Sequence, residues 1–574
     1  MDQISEKTKM IVERLKILKR KFNTHGIDGY VIPKNDEFFS EFSNKDRLKT
    51  ISNFSGSAGY AVVLKNKNYL FVDGRYSIQA KIEAGDNFKI KNFGEILNCK
   101  LFKNITLGID PKIFTNDEIN KFFLKFNKIK IINSNLVDEI YSVYPKYIKP
   151  FYSLKEIIAG ESYKKKIDRV SRILKKEKAD YLFISASENV AWLLNIRGQD
   201  NPNSPIPNCH LLLTKDKKFF FICEKKKLLK LIKEKKVAHN QVINPEKINS
   251  FLSKIKIGKF IVDSKTCSIF YRNIIIKNHK IVKKDDPIYL LKSIKNKYEI
   301  DNIVNTHIED GIALTKFLYW IKILNKKKIT EIDAQNKLER FRKKSKKYLF
   351  PSFNTIAGSG KNGAIIHYRA TKKNTKMIDK KDLFLCDSGG QYKYGTTDVT
   401  RTICFSKPSN YIKNIFTKVL KGHIAVVTSN LKTHYNGKLI DKRARAYLLN
   451  SGLDYNHGTG HGVGFFSNVH EGPQAISKSN TVKLKEGMIL SNEPGYYKKG
   501  KFGIRIENLI YIKKIKKKLS FVNLTMAPID KDLINFDQLN KVEKNYLFNY
   551  HLNIYLNLSN YLNKKEKKWL ASFI

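Results

Sequence analysis

Five residues between positions 387 and 507 have side chains that commonly bind metal ions. They are Asp387, Asp398, His461, Glu493 and Glu507, in the local sequences LCDSGG, GTTDVTRT, HGTGHGVG, SNEPGYY and GIRIENL. Carboxylates with one imidazole form the ligand set of a carboxylate-bridged pair of divalent ions, rather than of a thiolate zinc site. Two such ions, about 3.5–4 Å apart, turn water into hydroxide at neutral pH and stabilise a tetrahedral intermediate. The set therefore predicts metal-assisted hydrolysis.

The two aspartates flank one predicted turn. Asp387 ends an apolar strand, Asp398 begins the next, and SGGQYKYGTT connects them. Antiparallel neighbours joined in this way bring residues near the turn within side-chain reach. Two carboxylates there repel each other unless a cation lies between them. Taken alone, however, two aspartates at such positions are more typical of turn caps.

The segment from His457 to His470 favours a metal site over simple turn caps, because it contains a third histidine at position 461. Glycines at positions 458, 460, 462 and 464 argue against a helix, and therefore against the helical HExxH zinc motif. The pattern predicts a loop whose backbone approaches another group closely. One histidine would then bind metal while another faces a substrate.

The two glutamates lie on predicted strands. Pro494 forces Glu493 into an extended backbone and so fixes its direction. Arg505 and Glu507 are two residues apart and share one face of a strand. A buried glutamate there is costly unless it is paired. Both an ion pair with Arg505 and a metal site satisfy that condition, so the sequence leaves these two interpretations open.

The chain length of 574 residues suggests three or four domains at about 150 residues per domain. GIDGYVIPKND (26–36) resembles KADYLFISASEN (178–189), and a strand-turn-strand pattern at 60–75 recurs at 210–226. We therefore expect two tandem α/β domains at 1–150 and 151–290, a catalytic domain at 291–515 and a C-terminal extension at 516–574. Helical patterns at 290–321, 409–429 and 437–451 alternate with strand patterns in the catalytic region. This mixture predicts an antiparallel sheet with helices covering one face.

The composition narrows the function classes. The net charge of +55 comes from lysines spread along the whole chain, so we expect no specific nucleic-acid partner. No apolar run is long enough to span a membrane, and the charged N-terminus is unlike a signal peptide. Six separated cysteines without a CxxC pair are expected to be reduced and buried. These features predict a cytoplasmic protein.

Together the motifs resemble those of the pita-bread metallopeptidases, and specifically the three-domain cytosolic form of aminopeptidase P (X-prolyl aminopeptidase). The resemblance begins at DGRYSIQA (73–80) and continues through NVAWLLNIRGQDNPNSP (189–205) and SFNTIAGSGKNGAIIHYRA (352–370). It includes all five ligand motifs and ends in the C-terminal region from LTMAPI (524–529) to NYHLNIY (549–555). It implies an α/β (α+β) fold, with two creatinase N-terminal-like domains before a pita-bread domain and its C-terminal extension. It also implies a homodimer.

The resemblance further implies roles for individual residues. Asp387 matches the ligand of one metal, His461 and Glu493 match ligands of the other, and Asp398 and Glu507 match the two bridging carboxylates. The implied catalytic residues, which act on the substrate or on the attacking hydroxide, are His367, His457, His470 and Glu493. The implied substrate-binding residues are Arg75, Tyr497 and Arg505. Family members most often use Mn²⁺, which oxygen-rich ligands suit.

The reaction implied by this resemblance is release of the N-terminal residue from peptides with proline second, by attack of a hydroxide that bridges two divalent metals. Prolidase is a related alternative on the same scaffold, but it resembles a shorter, two-domain design. Creatinase-like hydrolases lack the metal ligands. A non-catalytic pita-bread module that binds histones or RNA is the alternative from a different class, and it is disfavoured because all five ligands are present.

Overall fold

The structure is a computed structural model that describes residues 2–97, 101–141, 149–324, 327–372 and 374–574, without the side chains of residues 2–8, Arg75 and Ile78. The chain forms two compact units. Unit 1 comprises Met1–Glu156 and Glu161–Ile288, and unit 2 comprises Ile157–Gly160 and Tyr289–Ile574. The four domain ranges expected from the sequence remain predictions. Among the described helices, none is both long and apolar enough to cross a membrane.

Unit 1 contains two sheets built on the same plan. The strands of the first are β1 (Gly29–Pro33), β2 (Gly59–Leu64), β3 (Asn68–Val72), β4 (Lys89–Asn92), β5 (Thr106–Ile109) and β6 (Lys128–Ile131). A short pair, β7 (Tyr152–Ser153) and β9 (Ile196–Arg197), accompanies the second sheet. The strands of the second are β8 (Tyr181–Ile184), β10 (His210–Thr214), β11 (Phe219–Ile222), β12 (Val242–Ile243), β13 (Lys259–Val262) and β14 (Lys280–Lys283).

The two sheets have equivalent strand orders, which confirms the internal repeat. The orders are β4-β3-β2-β1-β5-β6 and β12-β11-β10-β8-β13-β14. In each, an antiparallel hairpin (β2–β3 or β10–β11) pairs with the strand that the repeat identified, β1 or β8, while the remaining pairs are parallel. The alternation of apolar runs was therefore sufficient to locate both hairpins.

Helices surround these sheets in unit 1. They are α1 (Asp2–Thr24), α2 (Arg47–Ser52), α3 (Ser77–Ala84), α4 (Phe93–Leu97), α5 (Asn116–Ile119), α6 (Glu156–Ala159, which ends in unit 2), α7 (Tyr163–Lys176), α8 (Ser187–Leu193), α9 (Lys225–Lys233), α10 (Ile248–Lys254), α11 (Ile269–Ile276) and α12 (Pro287–Ser293, which continues into unit 2).

The strands of unit 2 pair antiparallel throughout its described residues, as predicted. They are β15 (Tyr348–Pro351), β16 (Ile356–Ser359), β17 (Phe384–Ser388), β18 (Gly390–Tyr392), β19 (Gly395–Thr396), β20 (Val399–Ile403), β21 (Gly460–Gly462), β22 (Glu471–Ile476), β23 (Ile489–Asn492), β24 (Gly495–Lys498), β25 (Phe502–Arg505), β26 (Asn508–Ile515) and β27 (Lys518–Asn523). They form several short sheets instead of the one sheet that we expected.

The division of the sheets has a local cause at Ile506 and Glu507. The sequence GIRIENLIYI predicts one strand, but β25 ends before these residues and β26 begins after them. The N–H of Ile506 donates to Pro494 O at 3.3 Å, and the N–H of Glu507 donates to Thr400 O at 3.1 Å. Because these two donors bond to other segments, the strand is interrupted where Glu507 lies.

Helices pack on these sheets and supply the core of unit 2. They are α13 (Lys297–Tyr319), α14 (Glu331–Arg342), α15 (Asn410–Val427), α16 (Gly437–Leu449), α17 (Lys541–Leu558) and α18 (Lys564–Ala571). Asn296 and Glu299 form a capping box that starts α13. Phe317 of α13 packs with Phe384 of β17, and Ile440 of α16 packs with Leu490 of β23. The helices thus hold the strands that end at the predicted ligands.

The cysteines agree with the prediction over the described residues. Five are free and buried: Cys209, Cys223, Cys267, Cys386 and Cys404. Cys99 lies outside the described residues. Burial raises the pKa of Cys386 to about 12, so this neighbour of Asp387 is a thiol at neutral pH.

Arg401 joins the ligand strands to the C-terminal region. Its guanidinium is buried and donates to the main-chain oxygens of Thr400, Glu507, Ala527 and Pro528 at 2.6–3.1 Å. It also donates to the side chains of Asn508 and Tyr550 at 2.8 and 2.9 Å. Each of the three nitrogens of this planar group, which has five N–H donors, therefore makes at least one hydrogen bond.

We predict that Arg401→Lys destabilises unit 2. An ammonium group has three donors, so several buried acceptors would lose their partner, at a cost of about 3 kcal/mol or more. Urea unfolding of the full chain, followed by tryptophan fluorescence, measures the change. Arg443, which makes one long bond to Ala425 O at 3.4 Å, supplies the control. Arg443→Lys should cost less than about 0.5 kcal/mol, and equal effects of the two substitutions would contradict this role for Arg401.

Candidate metal centre

Strands position the four predicted carboxylate ligands. Asp387 lies in β17, directly opposite Thr400 of β20. Asp398 immediately precedes β20, and Glu493 immediately follows β23. Glu507 occupies the break between β25 and β26. The backbone of Asp387 is held by sheet pairing and the other three residues directly adjoin paired strands, so the fold restricts the directions of all four side chains.

His461, in the middle of β21, presents a lone pair to two of these carboxylates. Its Nδ1 lies 2.9 Å from Gly462 O, and a carbonyl only accepts, so Nδ1 carries a hydrogen. The other nitrogen, Nε2, lies 3.4 Å from Asp398 Oδ2 and 3.6 Å from Glu493 Oε1. These separations are long for hydrogen bonds. A cation between the three atoms would satisfy all of them.

The ligand atoms converge on one small volume. Asp398, His461 and Glu507 each offer an atom within 4.8 Å of the other two. Asp387 Oδ2 accepts a hydrogen bond from Arg505, whereas its Oδ1 is buried without a hydrogen-bond partner. A buried carboxylate oxygen with no partner is costly, and coordination to a metal would remove that cost.

The electrostatics of the cluster support the same conclusion. Burial raises the pKa of Asp387 to about 7; Arg505 opposes the shift, and the charges of Asp398 and Glu493 add to it. Burial and the neighbouring carboxylates also hold the pKa of Glu507 well above its usual range. Burial acts to raise the pKa of Glu493 too, but the charges of His461 and His457, when both rings are protonated, outweigh it and lower this pKa. Divalent ions would compensate the buried charge, so the donor set fits them.

Arg505 and Thr400 orient the carboxylates from behind. Arg505 Nη2 donates to Asp387 Oδ2 at 2.6 Å, and its Nε donates to Thr400 Oγ1 at 3.0 Å. The hydroxyl of Thr400 donates in turn to Glu507 Oε2 at 2.7 Å. The sequence left open whether Arg505 pairs with Glu507. The structure shows that Arg505 bonds directly to Asp387 and reaches Glu507 through Thr400.

Tyr497 extends this network to His457. Its hydroxyl accepts from Arg505 Nη1 at 2.6 Å and lies 2.9 Å from His457 Nε2. The Nδ1 of His457 lies 2.8 Å from Gly458 O and therefore carries a hydrogen. When the ring is neutral, the Tyr497 hydroxyl donates to Nε2. Burial raises the pKa of Tyr497 to about 12, so it remains a donor at neutral pH.

The remaining predicted residues, His470, His367 and Arg75, differ in their positions relative to the ligand cluster. The ring of His470 is exposed and lies 4.2 Å from that of His461, edge to face. His367 is half-buried on the turn that follows Gly360–Ala364. The Gly360–Ala364 segment itself lies against β25, where Gly363 O would be 1.8 Å from a Cβ on Gly503. The side chain of Arg75 lies outside the described residues, and its main chain belongs to unit 1.

Glu331 holds the segment that carries His367, and the sequence did not single it out. Its carboxylate is fully buried and accepts from Ser359 N and Asn362 Nδ2 at 2.8 and 2.9 Å. It also accepts from the Tyr368 hydroxyl and from Lys376 N, both at 2.8 Å. An acidic residue at the start of α14 is an ordinary helix signal, so nothing local in the sequence could reveal these partners. Thr400 and Arg401 were missed for the same reason.

Comparison with known proteins agrees with this geometry. The model of metallopeptidase family M24 matches residues 302–514, and that of the C-terminal region of peptidase M24 matches 517–572. Two models of the creatinase/prolidase N-terminal domain match residues 14–140 and 145–299. These matches confirm the predicted fold class.

Similar proteins cover nearly the whole chain. A probable Xaa-Pro aminopeptidase P of Laccaria bicolor is 36% identical over 94% of this chain and 89% of its own length. Xaa-Pro aminopeptidase 1 of Dictyostelium discoideum is 35% identical over 95% of this chain and 92% of its own.

Solved structures show the same likeness. The X-prolyl aminopeptidase of Caenorhabditis elegans, described as a cytosolic enzyme with a di-nuclear active site, has a TM-score of 0.90 at 29% identity. It covers 98% of this chain and 99% of its own. A prolidase from Thermococcus sibiricus, with a TM-score of 0.52 at 26% identity, covers 64% of this chain and 98% of its own. On its sequence, its fold and its cluster of five candidate ligands, the chain belongs to the aminopeptidase P family of M24 metallopeptidases.

Proposed function

We propose that the protein is a metal-dependent aminopeptidase that releases the N-terminal residue from peptides with proline in the second position. The observation that carries this proposal is the position of His461 Nε2, which presents a lone pair to Asp398 and Glu493 inside a cluster of buried carboxylates. The full-length similarity to Xaa-Pro aminopeptidases supports the substrate class.

Five residues would hold two divalent ions. Asp387 would bind one ion, His461 and Glu493 the other, and Asp398 and Glu507 would bridge them. Two divalent ions supply a nucleophile by lowering the pKa of water, and they stabilise the charge that develops on the scissile carbonyl. The excess of oxygen ligands suits Mn²⁺, which is the ion we propose.

The protein's own residues would manage the protons. Glu493 is the general base in this proposal, because its carboxylate lies in the cluster beside His461 Nε2 and can accept a proton there. The leaving nitrogen of a peptide bond before proline carries no hydrogen, so it must gain one from the protein, and Glu493 would deliver it. His470 and His367 would contact the substrate and the developing oxyanion. Tyr497 keeps His457 oriented at the mouth of the site.

Prolidase activity is the second candidate, because the catalytic fold is shared. The tandem sheets of unit 1 favour the aminopeptidase, since the X-prolyl aminopeptidase of Caenorhabditis elegans covers 98% of this chain, whereas the prolidase of Thermococcus sibiricus covers 64%. A non-catalytic binding module is disfavoured by the five converging donors. By analogy with the C. elegans enzyme described as cytosolic, we also propose that the protein is cytoplasmic.

We predict that the protein cleaves the tripeptide Arg-Pro-Pro after its first residue, and leaves Arg-Ala-Pro and the dipeptide Gly-Pro largely intact. Removal of metal with a chelator should lower kcat/KM for Arg-Pro-Pro by about 100-fold or more, since several kcal/mol of charge stabilisation are lost. Added Mn²⁺ should restore it. Chromatography of the released amino acid measures each rate. Equal rates before and after chelation would refute the metal mechanism, and equal cleavage of Gly-Pro would favour prolidase.

We also propose a homodimer formed by the catalytic and C-terminal regions. Large apolar side chains stay exposed on α17 and just after it, including Val542, Phe548, Leu556 and Tyr561. Light scattering after size-exclusion chromatography should therefore give twice the chain mass of 66.6 kDa. Leu556→Lys, which places a charge on this face, should raise the monomer fraction. A wild-type mass of one chain would contradict the proposal.

A further inference from the structure

Glu471, which directly follows His470, has its carboxylate enclosed by two lysines. Lys292 Nζ lies 3.0 Å from Glu471 Oε2, and Lys295 Nζ forms an ion pair with Oε1. The three side chains are between 0 and 3% exposed. We call these two lysines and the glutamate the lysine clamp. Burying two lysines around one carboxylate removes three charged groups from water, which is an expensive way to gain stability alone.

The backbone of Glu471 borders the ligand His461. Glu471 begins β22 and pairs with Gly462 of β21, and the register of this pair shifts between His461 and Gly462. The carboxylate of Glu471 also lies against the loop between the two histidines: a Cβ on Gly464 would be 3.2 Å from its Oε2. Movement of Glu471 therefore shifts the backbone on both sides of this loop.

The two histidines that Glu471 borders are themselves in contact. The rings of His461 and His470 lie 4.2 Å apart at 66°, so a displacement of one ring alters the space available to the other. His461 faces the carboxylates, and His470 lies at the exposed side of the cluster. The clamp is thus in a position to set the placement of both.

The clamp is also anchored to the strand that leads to Glu493. Lys295 N donates to Gly487 O at 3.0 Å, and Gly487 lies just before β23. Gly487 has a φ of +84°, and a Cβ there would lie 2.4 Å from Lys295 O. This close approach requires glycine. Lys295 therefore ties Glu471 to the backbone that carries Glu493.

We infer that Glu471 is a positioning residue, which Lys292 and Lys295 hold so that His461 and His470 keep their places relative to the ligand carboxylates. The part of this inference that treats His470 as a residue contacting the substrate rests on the proposed function. The effect on His461 concerns metal binding alone. A purely structural clamp would alter stability. A positioning clamp alters metal affinity and kcat in a protein that remains folded.

The test uses two variants of the full chain. Lys292→Met removes one ammonium group and leaves a single Lys295–Glu471 pair, so folding should be retained. The double variant Lys292→Met/Glu471→Gln keeps the original buried net charge while removing the carboxylate. For both we expect the Kd for Mn²⁺, measured by calorimetry, to rise, and kcat for Arg-Pro-Pro to fall, each by about 10- to 100-fold. KM should change little for both variants, and the melting temperature should stay close to that of wild type for Lys292→Met, which keeps the Lys295–Glu471 pair.

Lys421→Met provides the matched control, because Lys421 forms another partly buried ion pair, with Glu543 at 3.0 Å. It should leave both the Kd for Mn²⁺ and kcat within about twofold of wild type. The inference is overturned if the two clamp variants behave like this control. It is also overturned if their losses occur only together with an equally large loss of folded protein. If wild-type protein does not cleave Arg-Pro-Pro, the proposed function fails, yet the Mn²⁺ titration still decides the positioning role.

Discussion

Several buried carboxylates share one small volume in unit 2, and the charge that must accumulate there constrains the rest of that unit. Arg505 supplies one positive charge, to Asp387. Burial and mutual repulsion nevertheless hold the pKa values of Asp387 and Glu507 above their usual range. Carboxylates kept at this separation in the interior are unstable without further cations. A pair of divalent ions is the compensation that also explains the orientation of His461.

The surroundings of the cluster are arranged to resist that repulsion. Thr400 connects Arg505 to Glu507, and Tyr497 connects Arg505 to His457. Arg401 donates hydrogen bonds to the main-chain oxygens of Glu507 and Ala527, and so connects the ligand segment to the C-terminal region. These are hydrogen bonds to charged groups in the interior, which are stronger than neutral ones and geometrically restrictive.

Other buried charges hold the loops that carry the predicted catalytic histidines. Glu331 bonds to main-chain and side-chain donors of the segment around His367. Glu471 and its two lysines border His461 and His470. Loop residues are less constrained than strand residues. A buried ionic contact is one way to give a loop the precision that chemistry requires.

Local patterns were sufficient for much of the fold. The apolar alternation located both hairpins of unit 1, and the glycines around His461 correctly excluded a helix. The same patterns misjudged GIRIENLIYI, because the donors of Ile506 and Glu507 bond to Pro494 and Thr400, which are distant in sequence.

In the candidate site, too, local sequence revealed some features, and others depend on partners that are distant in the chain. Its ligand types were visible in the sequence, whereas the roles of Arg401, Glu331 and Glu471 depend on partners tens to hundreds of residues away. The functional roles of the predicted site residues remain predictions, as do the domain ranges and the role of Arg75.

The most direct test of a shared two-metal centre is the metal content of Glu507→Ala. Wild-type protein and variant would be loaded with Mn²⁺, freed of excess metal and analysed by mass spectrometry of the element, with circular dichroism as a check of folding. If Glu507 bridges two ions, wild type should retain two per chain, and the folded variant should lose both. A folded variant that retains two ions per chain would contradict the account.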